Sequence, residues 1–361
     1  AAADLRIFGP HLASLAGFAV AAGDLNGDGI ADVIIGSPGA NKAGSARAYG
    51  AAYVFFGGAE LVGLRDLAAA PSSAMGPDVA VFGAEASSPI SGDQLGAGLA
   101  VGDLNGDRVS DLIVSAPLAD GPDNQRREAG EIYVFFGGSD LTKGTTVDLA
   151  QTNAPLTVHG ATSSDQLGLA IALGDVNGDG TNDLIMGSRG RVITAGENVG
   201  ATYVIFGNQM LAGQPIRDLN QTAPPIATGA DIFISGPARR GFLGFSVASG
   251  DINGDQIGDL IIGANHANNP SDIETGVVYI FNGRPGLASG TMLDAAAPSP
   301  PQGANVVVLG VEQGDELGFS VAAGDVNADG IADLLMSAPG GDGPNNSRSG
   351  AGETYVVFGE R

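Results

Sequence analysis

The sequence predicts an all-β fold, a five-bladed β-propeller, and three observations carry the prediction: a fivefold repeat, the strand pattern inside each repeat, and the way the chain begins and ends. The repeat is a nine-residue motif: DLNGDGIAD from Asp24, DLNGDRVSD from Asp103, DVNGDGTND from Asp175, DINGDQIGD from Asp251 and DVNADGIAD from Asp325. Its spacings of 79, 72, 76 and 74 residues divide the 361-residue chain into five similar units. No room is left for a second domain, so residues 1–361 are expected to form a single one.

Each unit carries four short apolar segments. In the third unit they are LTVHG (156–160), GLAIALGD (168–175), DLIMGS (183–188) and ATYVIFG (201–207). The other first segments read LRIFG, VAVFG, IFISG and VVVLG, and the other third segments DVIIGSP, DLIVSAP, DLIIGAN and DLLMSAP. Runs of 5–8 residues, rich in Val, Ile and Phe and bounded by Gly, Pro and Asp, are buried strands joined by tight turns. Glycine, at 59 residues without a collagen period, fits that density of turns. Four strands per unit predict four-stranded antiparallel blades. Because LRIFG at 5–9 precedes the first Asp motif and the chain stops after TYVVFG at 354–359, the N-terminal strand is expected to complete the last blade. Such a clasp closes the ring and removes an exposed edge. An open solenoid would need polar caps, and none is visible.

Composition narrows the function. A net charge of -24 and a pI near 4.1 argue against nucleic-acid binding and against attachment to an anionic membrane. The absence of cysteine excludes disulfides, thiolate metal sites and a cysteine nucleophile. No apolar run reaches the ~18 residues of a membrane helix, and Ala1-Ala2-Ala3-Asp4 does not begin a signal peptide. No G-x-S-x-G, phosphate-binding loop or H-E-x-x-H is present, and the three histidines are scattered. His159 falls on a strand, where a satisfied structural histidine is expected; His11 and His266 fall in loops without a marked partner. The chain is therefore expected not to be an enzyme, although paired carboxylates abound among 40 acidic residues.

The recurrent motif has the form D-x-N-x-D-x-x-x-D in a hairpin between the second and third strands of each unit. Side-chain oxygens at positions 1, 3, 5 and 9 and the backbone carbonyl at position 7 suit a hard cation, calcium before zinc, copper or magnesium. The ligand sets are Asp24, Asn26, Asp28, Ile30 and Asp32 in the loop 24–32; Asp103, Asn105, Asp107, Val109 and Asp111 in 103–111; Asp175, Asn177, Asp179, Thr181 and Asp183 in 175–183; Asp251, Asn253, Asp255, Ile257 and Asp259 in 251–259; and Asp325, Asn327, Asp329, Ile331 and Asp333 in 325–333. Asp, Asn and Gly also make ordinary turns. Five intact copies, each with the closing Asp, favour a metal. Five calcium ions are expected, in a structural role. Position 6 needs a left-handed backbone, which Gly29, Gly180 and Gly330 provide and Arg108 and Gln256 do not, so weaker sites are expected in the second and fourth loops. Ala328 at position 4 of the fifth loop reads as a milder change.

With these residues in view, the chain resembles the FG-GAP repeats of the integrin α-subunit propeller. Leu243-Gly244-Phe245, Leu95-Gly96, Leu167-Gly168 and Leu317-Gly318 precede the loops where that family has Phe-Gly. Gly36-Ser37-Pro38, Ser115-Ala116-Pro117 and Ser337-Ala338-Pro339 stand at the Gly-Ala-Pro slot, with Gly187-Ser188-Arg189 and Gly263-Ala264-Asn265 departing from it. The resemblance implies the blade topology, calcium on one face and ligand contact on the other. It also departs: integrin propellers have seven repeats, only some with calcium loops.

The loops opposite the Asp hairpins are 10–14, 37–51, 84–94, 116–131, 161–166, 188–200, 237–241, 264–276, 310–316 and 338–353. They hold nine of the sixteen Lys and Arg residues: Lys42, Arg47, Arg126, Arg127, Arg189, Arg191, Arg239, Arg240 and Arg348. Long loops on a rigid frame are where binding concentrates. The expected function is an extracellular adhesion or recognition module, a monomer, taking a protein or acidic polysaccharide on this face through arginine. The bland alternative is that these arginines pair with loop acids such as Asp120, Asp123, Glu128, Glu131 and Glu197. A carbohydrate-binding lectin-type propeller is the second reading, and an accessory domain of a secreted enzyme the third. Against the lectin, there is no Trp, and Tyr53, Tyr133, Tyr203, Tyr279 and Tyr355 share one strand position that reads as core, leaving Tyr49 in a loop and Phe242 outside the strand pattern.

Overall fold

The computed structural model describes residues 3–42, 45, 47–71, 73–84, 92–138, 140–194, 197–220, 229–237, 241–270 and 273–361. The chain groups into two compact units, Ala1–Ser164 with Asn208–Asp218, and Asp165–Gly207 with Leu219–Arg361. Both are all-β; the helical residues among those described are three short 3-10 turns, Pro122–Asn124, Leu211–Gly213 and Pro344–Asn346.

The first unit contains β1 (Leu5–Phe8), β2 (Val20–Gly23), β3 (Asp32–Ser37), β4 (Ala51–Phe55), β5 (Gly63–Asp66), β6 (Val79–Phe82), β7 (Gly98–Gly102), β8 (Asp111–Ala116), β9 (Glu131–Phe135), β10 (Thr145–Asp148), β11 (Leu156–His159) and β17 (Ile216–Asp218). Its sheets run β2-β3-β4-β6-β10 and β7-β8-β9-β11-β17, with β1 and β5 as a separate pair. The second unit contains β12 (Ile171–Gly174), β13 (Asp183–Ser188), β14 (Val192–Thr194), β15 (Glu197–Asn198), β16 (Ala201–Ile205), β18 (Ile232–Ser235), β19 (Ser246–Gly250), β20 (Asp259–Ala264), β21 (Val277–Phe281), β22 (Thr291–Asp294), β23 (Val306–Leu309), β24 (Val321–Gly324), β25 (Asp333–Ala338) and β26 (Glu353–Val357). Its larger sheets are β12-β13-β16-β18-β22, β19-β20-β21-β23 and β24-β25-β26.

All five repeats thus build the same antiparallel core of three strands, and the first segment of the following repeat is added antiparallel to the third of them, as in Ala51↔Phe82 and Tyr53↔Ala80 between β4 and β6. The third strand of each of the first four repeats reads as a near-continuous apolar run because its side chains are buried on both faces. Ile34 faces Leu112, Val114 and Phe135 of the second sheet, while Ile35, Tyr53 and Phe55 pack with Ile7 and Leu67 on the other side. In the second unit, Val204 and Ile232 meet Ile262 and Tyr279, and Ile261 and Ile280 meet Leu334 and Met336.

Two expectations need correction. The sheets are not limited to the expected four antiparallel strands: three of them carry a fifth, parallel to the fourth, in the pairs β6–β10, β11–β17 and β18–β22. A strand that follows β9 after a turn runs opposite to β9, and therefore along β6, whose free edge it covers. The signal was present as a recurrent Asp followed by an apolar residue: Asp66-Leu67, Asp148-Leu149, Asp218-Leu219 and Asp294-Ala295. Second, β1 pairs in parallel with β5, Leu5↔Gly63 to Phe8↔Asp66, and the last sheet stops at three strands. Hydrogen bonding to β5 satisfies one edge of β1. Among the described residues no strand pairs with the outer edge of β26, and Val356 is 46% exposed where Val54, Val134, Val204 and Ile280 at the same position are buried.

Candidate metal loops and recognition face

The Asp motifs occupy the hairpins β2–β3, β7–β8, β12–β13, β19–β20 and β24–β25. In the first, the Asp24 carboxylate accepts the N–H groups of Gly27 (2.7 Å), Asp28 (3.1 Å) and Gly29 (2.7 Å). Asn26 Oδ1 accepts from Asp28 N (2.9 Å), and Asp28 Oδ1 from Ile30 N (2.8 Å). The same bonds from positions 5 and 6 to position 1, from 5 to 3 and from 7 to 5 recur in all four other loops. Short acceptor side chains bonding nearby amides explain why the spacing of Asp, Asn and Asp folds into one conformation five times.

This conformation needs a left-handed residue at both positions 4 and 6. Position 6 has φ 84° at Gly29, 72° at Arg108 and 71° at Gln256; position 4 has φ 76° at Gly27 and 64° at Ala328. Ala328 is therefore the same kind of departure as Arg108 and Gln256, not a milder one. Arg108→Gly should raise stability by about 1 kcal/mol, read as a higher urea midpoint at unchanged m. A lower midpoint would remove the strain argument.

The closing Asp does something the spacing does not reveal. Asp32 Oδ2 accepts the N–H of Leu25 (2.8 Å) and Oδ1 that of Gly57 (2.8 Å), which ties the hairpin to the end of β4. Asp111, Asp183, Asp259 and Asp333 make the equivalent pair of bonds, and all five side chains are fully buried. Burial pushes the carboxyls of Asp111 and Asp259 up to about 6 and that of Asp183 up to about 7, against the opposing backbone N–H bonds. Nearby loop carboxylates add to the rise, Asp107 on Asp111 and Asp179 and Asp175 on Asp183. A cation beside these groups would relieve that repulsion.

Among the described residues no three His, Asp or Glu side chains converge as a metal cluster. The donor set nevertheless fits calcium chemically. Each loop offers only oxygen: three carboxylates, the Asn amide oxygen and the position-7 carbonyl, and each carboxylate keeps at least one oxygen with a lone pair that no backbone N–H uses.

Neighbouring repeats meet glycine on glycine. A Cβ on Gly36 would lie 2.0 Å from the carbonyl oxygen of Gly96, and one on Gly187 2.0 Å from that of Gly244. Within a repeat, Gly17 N donates to Gly36 O and Gly244 N to Gly263 O, both backbone bonds. The two glycine positions of the repeat are thus a single contact seen from both sides. A family model described as FG-GAP repeat matches residues 16–55, 95–135, 167–205, 243–281 and 317–357, more than half of the chain. The chain belongs to the FG-GAP repeat family. Integrin alpha-PS2 of Drosophila melanogaster is 30% identical over 198 residues, 54% of this chain and 12% of that protein. The human phosphatidylinositol-glycan-specific phospholipase D is 29% identical over 247 residues, 68% of this chain and 26% of that protein. The FG-GAP chain therefore spans only a minor part of the length of these relatives. Among solved structures, the V. cholerae biofilm matrix protein Bap1 aligns over 81% of this chain and 29% of its own, at 13% identity and a TM-score of 0.34, too low to carry an argument.

At the strand ends opposite the Asp hairpins, most cations are already paired. Arg126 forks onto Asp218 (2.5 and 2.6 Å) and also donates to Gly160 O (2.8 Å). Lys42 pairs with Asp148, Arg127 with Glu128 (2.9 Å) and Arg191 with the fully buried Asp165 (3.5 Å). Arg189 donates to Gln166 (2.9 Å) and lies 5.6 Å over the Phe245 ring, and burial lowers its pKa. Of the acids expected as partners, Glu128 is one, bound by Arg127, and the side chain of Glu197 lies outside the described residues. Two partners that were not expected, Asp148 and Asp218, are the residues that end parallel fifth strands, a role hidden until those strands are known. Arg239 and Arg240 lie outside the described residues.

The histidines are satisfied. His159 Nδ1 is 3.0 Å from Glu131, which also accepts from the Tyr133 hydroxyl. His11 Nδ1 is bonded to Leu12 O (2.8 Å), and its Nε2 accepts from Asn41 N (2.9 Å). His266 pairs with Glu274 and meets Phe242 edge-on at 5.3 Å. Tyr49, expected to stand free, lies under the Lys42 ammonium at 4.1 Å. No helix among the described residues is long and apolar enough to cross a membrane.

Proposed function

We propose that this FG-GAP chain is a five-bladed, calcium-stabilised propeller that works outside the cell as an adhesion or recognition module, not as an enzyme. The observation that carries the reading is the fivefold Asp loop on one end of a repeated sheet, opposite longer loops whose sequences differ from repeat to repeat: the hairpins are nine residues each and share one motif, whereas the loops between third and fourth segments, 37–51, 116–131, 188–200, 264–276 and 338–353, share none across all five. A constant end suits a structural ion and a variable end suits recognition. Asp, Asn and the position-7 carbonyl would hold each ion, and the ion would supply charge neutralisation within a loop of three carboxylates. Weak calcium loops of this kind fill where calcium is abundant, which supports an extracellular site of action.

The partner in this reading is a protein or a polysaccharide. An acidic polymer would have to compete with Asp218, Asp148 and Asp165 for the cations, so the carbohydrate reading gains on the acidic one. The test is an array of glycans, acidic polysaccharides and matrix proteins probed in millimolar calcium and again after chelation. Calcium-dependent binding to a narrow ligand class is expected. Binding to nothing on the array would overturn the recognition reading.

A further inference from the structure

We propose that a cleft at the loop end of the first sheet binds one ring of an uncharged sugar, with the Tyr53 hydroxyl as its central hydrogen-bonding group. The inference rests on the recognition reading and names a site and a ligand class for it.

The cleft has a volume of about 520 Å³ and lies wholly within the first unit. That size is in the range of small-molecule sites, roughly 300–1,000 Å³. Tyr53 of β4 and Phe82 of β6 line it, ring edge to ring face, with centroids 6.1 Å apart. Pro10, Leu67, Pro71 and Pro77 provide further apolar wall.

Comparison among the repeats explains why the cleft exists here. Tyr133 and Tyr355 occupy the position of Tyr53, and each donates its hydroxyl to a glutamate two residues earlier, Glu131 or Glu353. Opposite Glu131 the second sheet places His159, which completes the network. In the first sheet these two positions are Ala51 and Phe82. Alanine leaves space and takes away the acceptor. Tyr53 is only 1% exposed, yet its hydroxyl has no hydrogen bond to a described residue and, unlike that of Tyr203, is not sealed in. A nearly buried hydroxyl without a partner is costly unless a ligand or water supplies one.

The remaining polar groups set the ligand class. Lys42, which lines the cleft, is neutralised by Asp148 from outside the lining and held over Tyr49. An anion would have to displace Asp148, and a cation would meet Lys42. The side-chain amide of Asn41 and the hydroxyl of Thr146 line the cleft and bond to no described residue, and Ser45 accepts from Arg47 N (3.1 Å), which leaves its O–H to donate. Neutral donors and acceptors facing an apolar wall suit a pyranose, whose C–H face packs on Phe82 and proline while its hydroxyls reach Tyr53, Asn41 and Thr146.

The experiment titrates the full chain, in calcium, with the methyl glycosides of glucose, galactose, mannose and N-acetylglucosamine by calorimetry. At least one should bind, Tyr53→Phe should weaken it about tenfold, the loss of one buried hydrogen bond, and Thr146→Val several-fold. Thr146 is exposed on an edge strand, so its variant folds even if Tyr53→Phe does not. No binding of any of the four by the wild type overturns the inference. So does binding that neither variant changes. An array ligand that both variants retain at full affinity leaves the recognition reading standing and removes the cleft from it.

Discussion

Chelating calcium should lower the thermal midpoint of this chain by on the order of 10 °C or more. At free calcium near 100 times the dissociation constant, one site contributes about 2.7 kcal/mol, and each kcal/mol moves the midpoint of a large domain by roughly 2–4 °C. Five loops carry fifteen aspartates between them, so the unliganded fold also holds three like charges close together in each hairpin. The loss should be graded with calcium concentration and reversed by adding it back, and magnesium at equal concentration should restore little of it. Differential scanning calorimetry reads the effect directly. A midpoint that moves by less than a degree between chelator and millimolar calcium would remove the ion from the account of the fold, and would leave the Asp loops as turns.

The second large effect concerns Asp183, and it separates two roles for one residue. Its carboxylate accepts the N–H of Val176 and of Gly207, both at 2.9 Å, in a fully buried setting. Asp183→Ala leaves both amides without a partner. Each costs about 1–3 kcal/mol, so a loss of about 3–5 kcal/mol is expected, a large share of the stability of a typical domain. Asp183→Asn keeps one acceptor and should lose less. The loss in the alanine variant should persist in chelator, because the two backbone bonds do not involve the ion. If the alanine variant and the wild type unfold together once calcium is removed, ligation is the whole role of Asp183 and the tie between hairpin and strand contributes nothing. By contrast, Asp179→Ala opens an exposed turn bond to Thr181 N, and its effect should shrink in chelator.

These outcomes bear on how the family motif should be read. The position-9 aspartate looks, by spacing, like one more ligand among five. The structure makes it the joint between the hairpin and the end of the fourth segment in every repeat, at Gly57, Gly137, Gly207, Gly283 and Gly359. Conversely, the glycines of the motif read as loop punctuation, whereas Gly36 and Gly96 leave no room for a Cβ between adjacent repeats.

What the sequence determined by itself was everything governed by local pattern and period. Five Asp motifs at nearly equal spacing, with apolar runs of strand length around them, decided the all-β class, the hairpins and the antiparallel core of each sheet, because turn chemistry and alternation act within a few residues. Even the strain at Arg108 and Gln256 was legible, since a left-handed position follows from the loop type alone. Tertiary structure decided what depends on partners distant in the chain. Thr145–Asp148, Ile216–Asp218 and Thr291–Asp294 are polar at one end and short, so no alternation marks them as strands; the recurrent Asp at their ends marks a repeated position without saying what it forms, and the open edge of another segment makes them strands. The loop cations looked available because their counter-ions, Asp148 and Asp218, lie 106 and 92 residues away. Tyr53 looked like core because five tyrosines share its position; only three dimensions show that, with Ala51 in place of a glutamate and Phe82 opposite, it lines a cleft. Local interactions are written in neighbouring residues, whereas edge pairing, charge pairing and cavities depend on which distant side chain fails or succeeds in filling the space.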